Sequence, residues 1–204
     1  MFSTFRNAAI AMVVASALAP PAFADLITFE TAPFNGFAGP VTENGFTYSK
    51  LSGFLFVAGN GNPGRDMEGG INGGGGVLKI VSATGGNFIF NGLDFAAQAL
   101  SGTQSQTLQV EGFLGGAPVG TDQYTLPSKN SPLNWTAETA SVLAGITVSE
   151  LDIPLQGGVN PEFDEDIDNV SLTSLAAAVP EPASLTLLLM GLASLAMVVR
   201  LRRG

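Results

Sequence analysis

Short alternating segments fill the sequence between residues 25 and 178, and no stretch there keeps a helical period for three turns. In Gln106–Leu114, for example, Leu108 and Val110 share one face while polar residues occupy the other, as in a half-buried strand. Asn-Gly pairs and glycine-rich turns separate such segments. Because a sheet that buries one face must pack against a second layer, we predict an all-β domain, a β-sandwich of jelly-roll-like order.

The predicted strands are, in chain order, Leu26–Glu30, Gly45–Tyr48, Gly53–Val57, Val77–Val81, Asn87–Phe90, Leu93–Phe95, Gln106–Leu114, Tyr124–Leu126, Trp135–Thr136, Ile146–Val148, Leu151–Ile153 and Ile167–Thr173. Turns are expected at Asn35-Gly36, Asn44-Gly45, Asn72-Gly73, Asn91-Gly92 and Gly115-Gly116, and loops at Gly59–Gly64 and Gly69–Gly76. The first of these loops matches G-x-G-x-x-G in letters, but no helix follows it, so it does not indicate a nucleotide site.

The first 24 residues predict a secretory signal peptide. Arg6 precedes an apolar stretch at residues 8–18, a Pro-Pro break follows, and Ala22 and Ala24 form an A-x-A cleavage site. Cleavage after Ala24 would leave Asp25 as the first residue of the exported domain. The alternative is a buried N-terminal helix, which gives no reason for small residues at both cleavage positions.

Residues 179–204 predict a membrane segment of three parts. The sequence Val179-Pro180-Glu181-Pro182 comes first, an apolar run over residues 183–199 follows, and Arg200, Arg202 and Arg203 complete it. As a helix, the run is about 26 Å long, which is at the short end for a transmembrane span. The arginines would stay in the cytoplasm, so residues 25–178 form an ectodomain on the other side of the membrane.

This order of Pro-Glu-Pro, apolar helix and arginine cluster resembles the PEP-CTERM sorting signal of Gram-negative bacteria. The resemblance implies export across the inner membrane, transient anchoring there by one helix, and processing by an exosortase. It also implies an association with exopolysaccharide and the extracellular matrix. The sorting residues that it assigns are Val179, Pro180, Glu181, Pro182, Arg200, Arg202 and Arg203. The alternative is an ordinary tail anchor with a Pro-Glu-Pro linker.

Composition excludes several classes of function. The chain has no cysteine and no histidine, which removes disulfides, thiolate nucleophiles, histidine-based catalysis and nearly all zinc sites. Residues 25–179 carry 16 acidic and four basic side chains, a net charge of −12, so we expect no nucleic-acid partner. A glycosidase-like E-x-D-x-x-E pattern starts at Glu162 but has Ile167 in place of the second glutamate. We therefore predict no catalytic residues and no enzyme.

An acidic run precedes the last predicted strand. Asp164, Asp166 and Asp168 recur at a spacing of two, which places them on one face of an extended strand. The apolar phase then shifts after Ile167, so we predict a β-bulge near Asp168-Asn169. The run is not an EF-hand, but its hard oxygen ligands favour calcium among metal ions.

Two short segments, Leu26–Glu30 and Ile167–Leu172, are similar to the terminal strands of carbohydrate-binding-module jelly rolls. In those modules an early glutamate and a late aspartate often hold a structural calcium ion. The resemblance therefore implies one Ca²⁺ bound by Glu30 and Asp168. The alternative is a solvated acidic loop that leads into the last strand.

Trp135 is the single tryptophan of the chain, and Tyr124 is one of its two tyrosines. An exposed Trp–Tyr pair would offer aromatic faces on which sugar rings stack, so both residues are candidates for polysaccharide binding. The alternative is that Trp135 belongs to the core of the sandwich. The sequence thus predicts a non-enzymatic, surface-displayed protein that binds polysaccharide. A purely structural matrix component and a carbohydrate-active enzyme are the competing hypotheses.

Overall fold

The computed structural model describes residues 24–37, 39–69, 75–99, 105–127, 134–156 and 163–175. The predicted signal peptide up to residue 23 and the predicted sorting segment at 179–204 lie outside these residues, as do Asn72-Gly73 and Glu162. Among the described residues there is no helix that is long and apolar enough to span a membrane.

The described chain forms fourteen strands, which confirms the all-β class. They are β1 (Ala24–Ile27), β2 (Asn35–Gly36), β3 (Val41–Glu43), β4 (Phe46–Gly53), β5 (Leu55–Gly61), β6 (Gly64–Gly69), β7 (Gly76–Ser82), β8 (Phe88–Ala99), β9 (Ser105–Leu114), β10 (Ala117–Pro127), β11 (Thr136–Thr139), β12 (Thr147–Val148), β13 (Glu150–Leu155) and β14 (Phe163–Ser174).

Two antiparallel sheets account for all of these strands. The larger sheet has the order β11-β8-β14-β6-β5-β2, with β1 added to β14 and β12 added to β8. The smaller sheet has the order β10-β9-β13-β7-β4-β3. Their apolar faces share one core, in which Phe46 of the smaller sheet meets Phe88 of the larger one edge to face at 5.1 Å. The predicted β-sandwich is confirmed, and its jelly-roll order stays a prediction.

Local turn chemistry explains two of the hairpins. Asn44-Gly45 joins β3 to β4 with φ angles of 47° and 82°, and Gly115-Gly116 joins β9 to β10 with 60° and 83°. Positive φ at both turn residues is the type I′ geometry, whose twist matches that of the strands. Both predicted turns are confirmed.

Two other Asn-Gly predictions are wrong, because tertiary pairing overrides the local signal. Asn91-Gly92 lies inside the continuous strand β8, and Asn35-Gly36 is the short strand β2, paired with β5. Gly92 instead permits close approach of β11, since a Cβ built on it would lie 2.2 Å from the Glu138 carbonyl oxygen. The expected loop at Gly59–Gly64 is also largely wrong, because β5 extends to Gly61 and β6 begins at Gly64.

The predicted bulge in the last strand is confirmed. The register of β14 against β8 shifts between Asp168 and Ser171, and Asn169 has a φ of 49°. Beyond the shift, Val170 and Leu172 are buried in the core, as Ile167 is before it. The bulge therefore keeps apolar residues inside the sandwich on both sides of the acidic run.

Candidate functional site

Five carboxylates share the face of the larger sheet that is turned away from the core. In the middle of this sheet, Met67 of β6 and Phe95 of β8 lie opposite Ile167 of β14, and all three point into the core. Side chains alternate along a strand, so the residues on either side of this row point to the other face. This outer acidic face consists of Asp66 and Glu68 from β6, Asp94 from β8, and Asp166 and Asp168 from β14.

Three of these side chains converge closely. One carboxylate oxygen from each of Asp66, Glu68 and Asp166 lies within 4.8 Å of the other two. Asp66 and Asp166 are fully buried, and Glu68 is 8% exposed. Negative groups held this close in a low-dielectric setting repel one another strongly, and a cation that bridges them removes the repulsion. The three side chains therefore place three hard oxygen donors where they could hold one metal ion.

Sequence reasoning found Asp166 but missed Asp66 and Glu68. The latter two lie between the predicted loops Gly59–Gly64 and Gly69–Gly76, where the sequence predicts no strand, about a hundred residues before Asp166. A local signal was present, because Asp66-x-Glu68 repeats the spacing of two seen in the later acidic run. This spacing indicates a site only in combination with the pairing of β6 with β14, in which Glu68 lies directly opposite Asp166.

Asp168 anchors the β5–β6 turn. Its Oδ2 accepts a hydrogen bond from the Asn62 backbone N–H at 2.7 Å, and its Oδ1 accepts one from the Asn169 backbone N–H at 2.7 Å. Burial raises the pKa of the Asp168 carboxyl to about 7, and the nearby charges of Asp66 and Asp94 raise this pKa further against those two hydrogen bonds. Asp168 is thus a buried acid that is held by the backbone.

The Asn169 side chain extends this anchor. Its amide donates to the Asn62 carbonyl oxygen at 2.6 Å and to Asp94 Oδ2 at 2.8 Å. The bulge that gives Asn169 its positive φ therefore also directs its amide toward the neighbouring turn and strand.

Glu30 contacts the other end of the same turn. Its Oε1 accepts a hydrogen bond from the Arg65 backbone N–H at 2.7 Å, while the Arg65 guanidinium donates to the carbonyl oxygens of Glu30 and Ala32. The structure thus brings Glu30 and Asp168 to one turn, as the predicted calcium pair requires. However, Glu30 is exposed and both oxygens of Asp168 already accept backbone hydrogen bonds. The side chain of Asp164 lies outside the described part of the structure.

The two aromatic candidates have different surroundings. Tyr124 is 6% exposed, packs in the core and donates from its hydroxyl to the Thr139 carbonyl oxygen at 3.3 Å. Burial raises the pKa of this hydroxyl. Tyr124 therefore does not offer the exposed ring face that sugar stacking requires. Trp135 is half-buried and directly precedes the edge strand β11.

Strand alternation relates Trp135 to the outer acidic face. Thr136 pairs with the core residue Phe95, and Ala137 pairs with Asp94 on the outer side. Continuing this alternation one residue beyond β11 would place Trp135 on the side of Asp94. The tryptophan thus marks the β11 margin of the outer acidic face.

Three of the solved structures with a similar chain course are two carbohydrate-binding modules and an arabinofuranosidase. The CBM29_1 family 29 carbohydrate-binding module from Piromyces equi is 6% identical, with a TM-score of 0.43 over 82% of this chain and 99% of the module. The CBM22-1 xylan-binding domain of Paenibacillus barcinonensis Xyn10C is 15% identical, with a TM-score of 0.38 over 78% of this chain and 98% of that domain. The arabinose-bound MgGH51 α-L-arabinofuranosidase is 12% identical, with a TM-score of 0.45 over 75% of this chain.

This chain spans only 27% of the length of the arabinofuranosidase. No curated protein matches the sequence. A family model does match: the PEP-CTERM protein-sorting motif aligns with residues 178–203, which include the Pro-Glu-Pro sequence, the apolar run and the three arginines. The resemblance seen in the sequence is thereby confirmed, and this chain carries a PEP-CTERM protein-sorting motif at residues 178–203.

Proposed function

We propose that this protein is an exported surface or extracellular-matrix protein whose β-sandwich binds polysaccharide, catalyses no reaction and holds one structural Ca²⁺. The sorting motif supports its export, its anchoring in the inner membrane of a Gram-negative bacterium and its processing by an exosortase. The observation that carries the role of the domain is the outer acidic face, with four buried carboxylates and the half-buried Trp135 at its margin.

The calcium ion is proposed to bind among Asp66, Glu68 and Asp166. These residues fit Ca²⁺ because their oxygens converge within 4.8 Å and are shielded from water, and because carboxylates are the ligands that this hard cation prefers. Bound calcium would tie β6 to β14 in the middle of the larger sheet. Asp168 stays the anchor of the adjacent turn, since its oxygens accept backbone hydrogen bonds.

Calcium is expected to stabilise the protein. At a concentration one hundred times the dissociation constant, a ligand that binds only the folded state contributes about 2.7 kcal/mol. For a domain of this size that corresponds to a rise in Tm of roughly 5–10 °C. Thermal melts of the full-length protein in detergent, with calcium and with EGTA, measure this difference, and identical melts would remove the site.

Variants assign the ligands. Asp166→Asn should abolish the calcium-dependent rise in Tm, while Glu150→Gln should keep it, because Glu150 pairs with Lys79 on the smaller sheet. Glu30→Gln tests the pair expected from the sequence. If Glu30→Gln loses the rise and Asp166→Asn keeps it, the ion is held at the turn by Glu30 and Asp168 instead.

Polysaccharide binding is expected to depend on Trp135. An indole face packs against the C–H surface of a sugar ring, so Trp135→Ala should weaken binding by about tenfold or more. Glycan arrays with the wild type, Trp135→Ala and Phe34→Ala measure this effect. Phe34 is the matched control, because it is also an aromatic residue and is 54% exposed, but its ring lies beside the Arg65 guanidinium.

The array also separates the competing functions. If neither the wild type nor the variants bind any glycan, a purely structural role in the matrix is favoured over polysaccharide binding. If glycans are cleaved, and cleavage persists in Glu162→Ala, the protein is a carbohydrate-active enzyme whose catalytic groups lie elsewhere.

A further inference from the structure

A cleft opens at one end of the smaller sheet, away from the outer acidic face. It has a volume of about 420 Å³ and lies where β4 and β13 end and β7 begins. This volume falls in the range of about 300–1,000 Å³ that is typical of small-molecule sites. Its lining includes Ser52, Gly53, Gly75, Gly76, Pro154 and Gln156.

Close backbone packing creates the floor of this cleft. Gly53 has a φ of 68°, and a Cβ built on it would lie 2.1 Å from the Gly75 carbonyl oxygen. A Cβ on Gly76 would lie 2.6 Å from the Phe54 carbonyl oxygen. Side chains are thus sterically excluded at both positions, and the floor consists of backbone.

Two large apolar side chains are exposed beside the cleft. Leu51 is 54% exposed and Phe54 is 58% exposed, and they flank Ser52 and Gly53 in the chain. The backbone N–H of Phe54 donates to the Gly75 carbonyl oxygen at 3.0 Å, which fixes Phe54 next to the glycine floor. The ammonium group of Lys50 lies 5.7 Å from the centre of the Phe54 ring. The apolar side chains of Leu51 and Phe54 therefore lie near the Ser52 hydroxyl and the Gln156 amide of the cleft.

We propose that this cleft is a second polysaccharide-binding site, which takes a short segment of a neutral glycan. Sugars combine apolar C–H faces with hydroxyl groups, which match the apolar lining residues Val77, Pro154 and Leu155 on one side and Ser52 and Gln156 on the other. The described lining has no ionisable side chain, and the net negative charge of residues 25–179 repels anionic polymers. This inference rests on the proposed polysaccharide-binding function and gives it a site separate from Trp135.

Isothermal titration of the full-length protein in detergent tests this site. The probes are neutral gluco-, manno-, galacto- and xylo-hexaoses, with polygalacturonate as the anionic probe. Gln156→Ala should weaken binding of a neutral hexaose by about tenfold, because it removes a polar group of the lining and leaves the fold intact. Phe54→Ala, beside the lining, should weaken binding less. Both changes leave the Gln156 backbone N–H bonded to Glu165 Oε2. Phe34→Ala should bind as the wild type does.

The outcomes separate this inference from the broader function. If the cleft variants bind like the wild type while Trp135→Ala loses binding, polysaccharide binding stands and the cleft is not a site. If the wild type binds neither a hexaose nor polygalacturonate nor any glycan of the array, both proposals fail. Tighter binding of polygalacturonate than of any hexaose would overturn the proposal that the ligand is a neutral glycan. If the wild type is a dimer, and Phe54→Ala dissociates it without changing the glycan affinity, the exposed surface at Leu51 and Phe54 binds a second copy of the chain instead.

Discussion

Replacing Asp122 with alanine is expected to lower the free energy of unfolding by about 3–5 kcal/mol. This carboxylate is fully buried on β10 and organises the loop that follows β11. It accepts hydrogen bonds from the backbone N–H groups of Ser141, Val142 and Leu143 and from the Ser141 hydroxyl, over distances of 2.6–3.3 Å. Alanine would leave these donors without an acceptor and release Leu143 from the core.

Urea unfolding of Asp122→Ala, Asp122→Asn and Thr125→Ala measures this contribution. Asparagine keeps one carbonyl acceptor, so its loss should be intermediate. Thr125 lies three residues further along β10, and its hydroxyl shares only an exposed hydrogen bond of 2.9 Å with Thr107, so its replacement should cost less than about 1 kcal/mol. A loss below that value for Asp122→Ala would show that water replaces the carboxylate and that the loop is held by Leu143 alone.

The protein in EGTA is expected to become less stable as the pH rises from 5 to 8. Burial raises the pKa of Glu165 to about 7, and the hydrogen bond from the Gln156 backbone N–H opposes this shift only in part. The pKa of Asp168 is also raised to about 7. A folded-state pKa above the unfolded one means that the folded protein binds more protons, so this stability is complete below about pH 4 and is lost as the pH passes 7. Glu165 should contribute about 2–3 kcal/mol over this interval, and Asp168 should contribute less because solvent screens its charge.

Glu165→Gln separates the two groups. The amide stays neutral at all pH values and its carbonyl oxygen can still accept from Gln156, so stability should fall less steeply with pH in the variant than in the wild type. Asp168→Asn is a poor mimic of the protonated acid, because both oxygens of Asp168 accept backbone N–H groups and one of them would become a donor. Urea titrations at pH 5, 6, 7 and 8 measure the slope, and an unchanged slope in Glu165→Gln would contradict the role of this carboxyl.

Local sequence patterns predict the structure correctly where it depends on residues that are consecutive in the chain. The type I′ turns at Asn44-Gly45 and Gly115-Gly116 form because the residues themselves permit positive φ. The bulge at Asp168-Asn169 could be predicted because the change in apolar phase is written in consecutive residues. The same kind of signal failed at Asn91-Gly92, where pairing with β11 and β14 outweighs a local turn preference.

The candidate sites depended on contacts that no local pattern contains. Asp66 and Glu68 belong to a strand that the sequence does not predict, because two carboxylates and flanking glycines lack the β-branched character of a typical strand. Tyr124 is a candidate for sugar stacking from the sequence, but it packs in the core and its hydroxyl donates to the Thr139 carbonyl oxygen. The strand that contains Asp66 and Glu68 and the burial of Tyr124 both depend on which strands are neighbours in the sandwich.

The sorting motif at residues 178–203, the all-β class and the exclusion of histidine and cysteine chemistry can all be predicted from the sequence, because motif, alternation and composition are local properties. Only the tertiary structure decided which acids meet on the outer acidic face and where Phe54 is exposed beside a glycine floor. These contacts depend on strand register, because the pairing of β6 with β14 places residues a hundred positions apart in the sequence side by side. The energy that favours this pairing comes from the whole sandwich and not from a local segment.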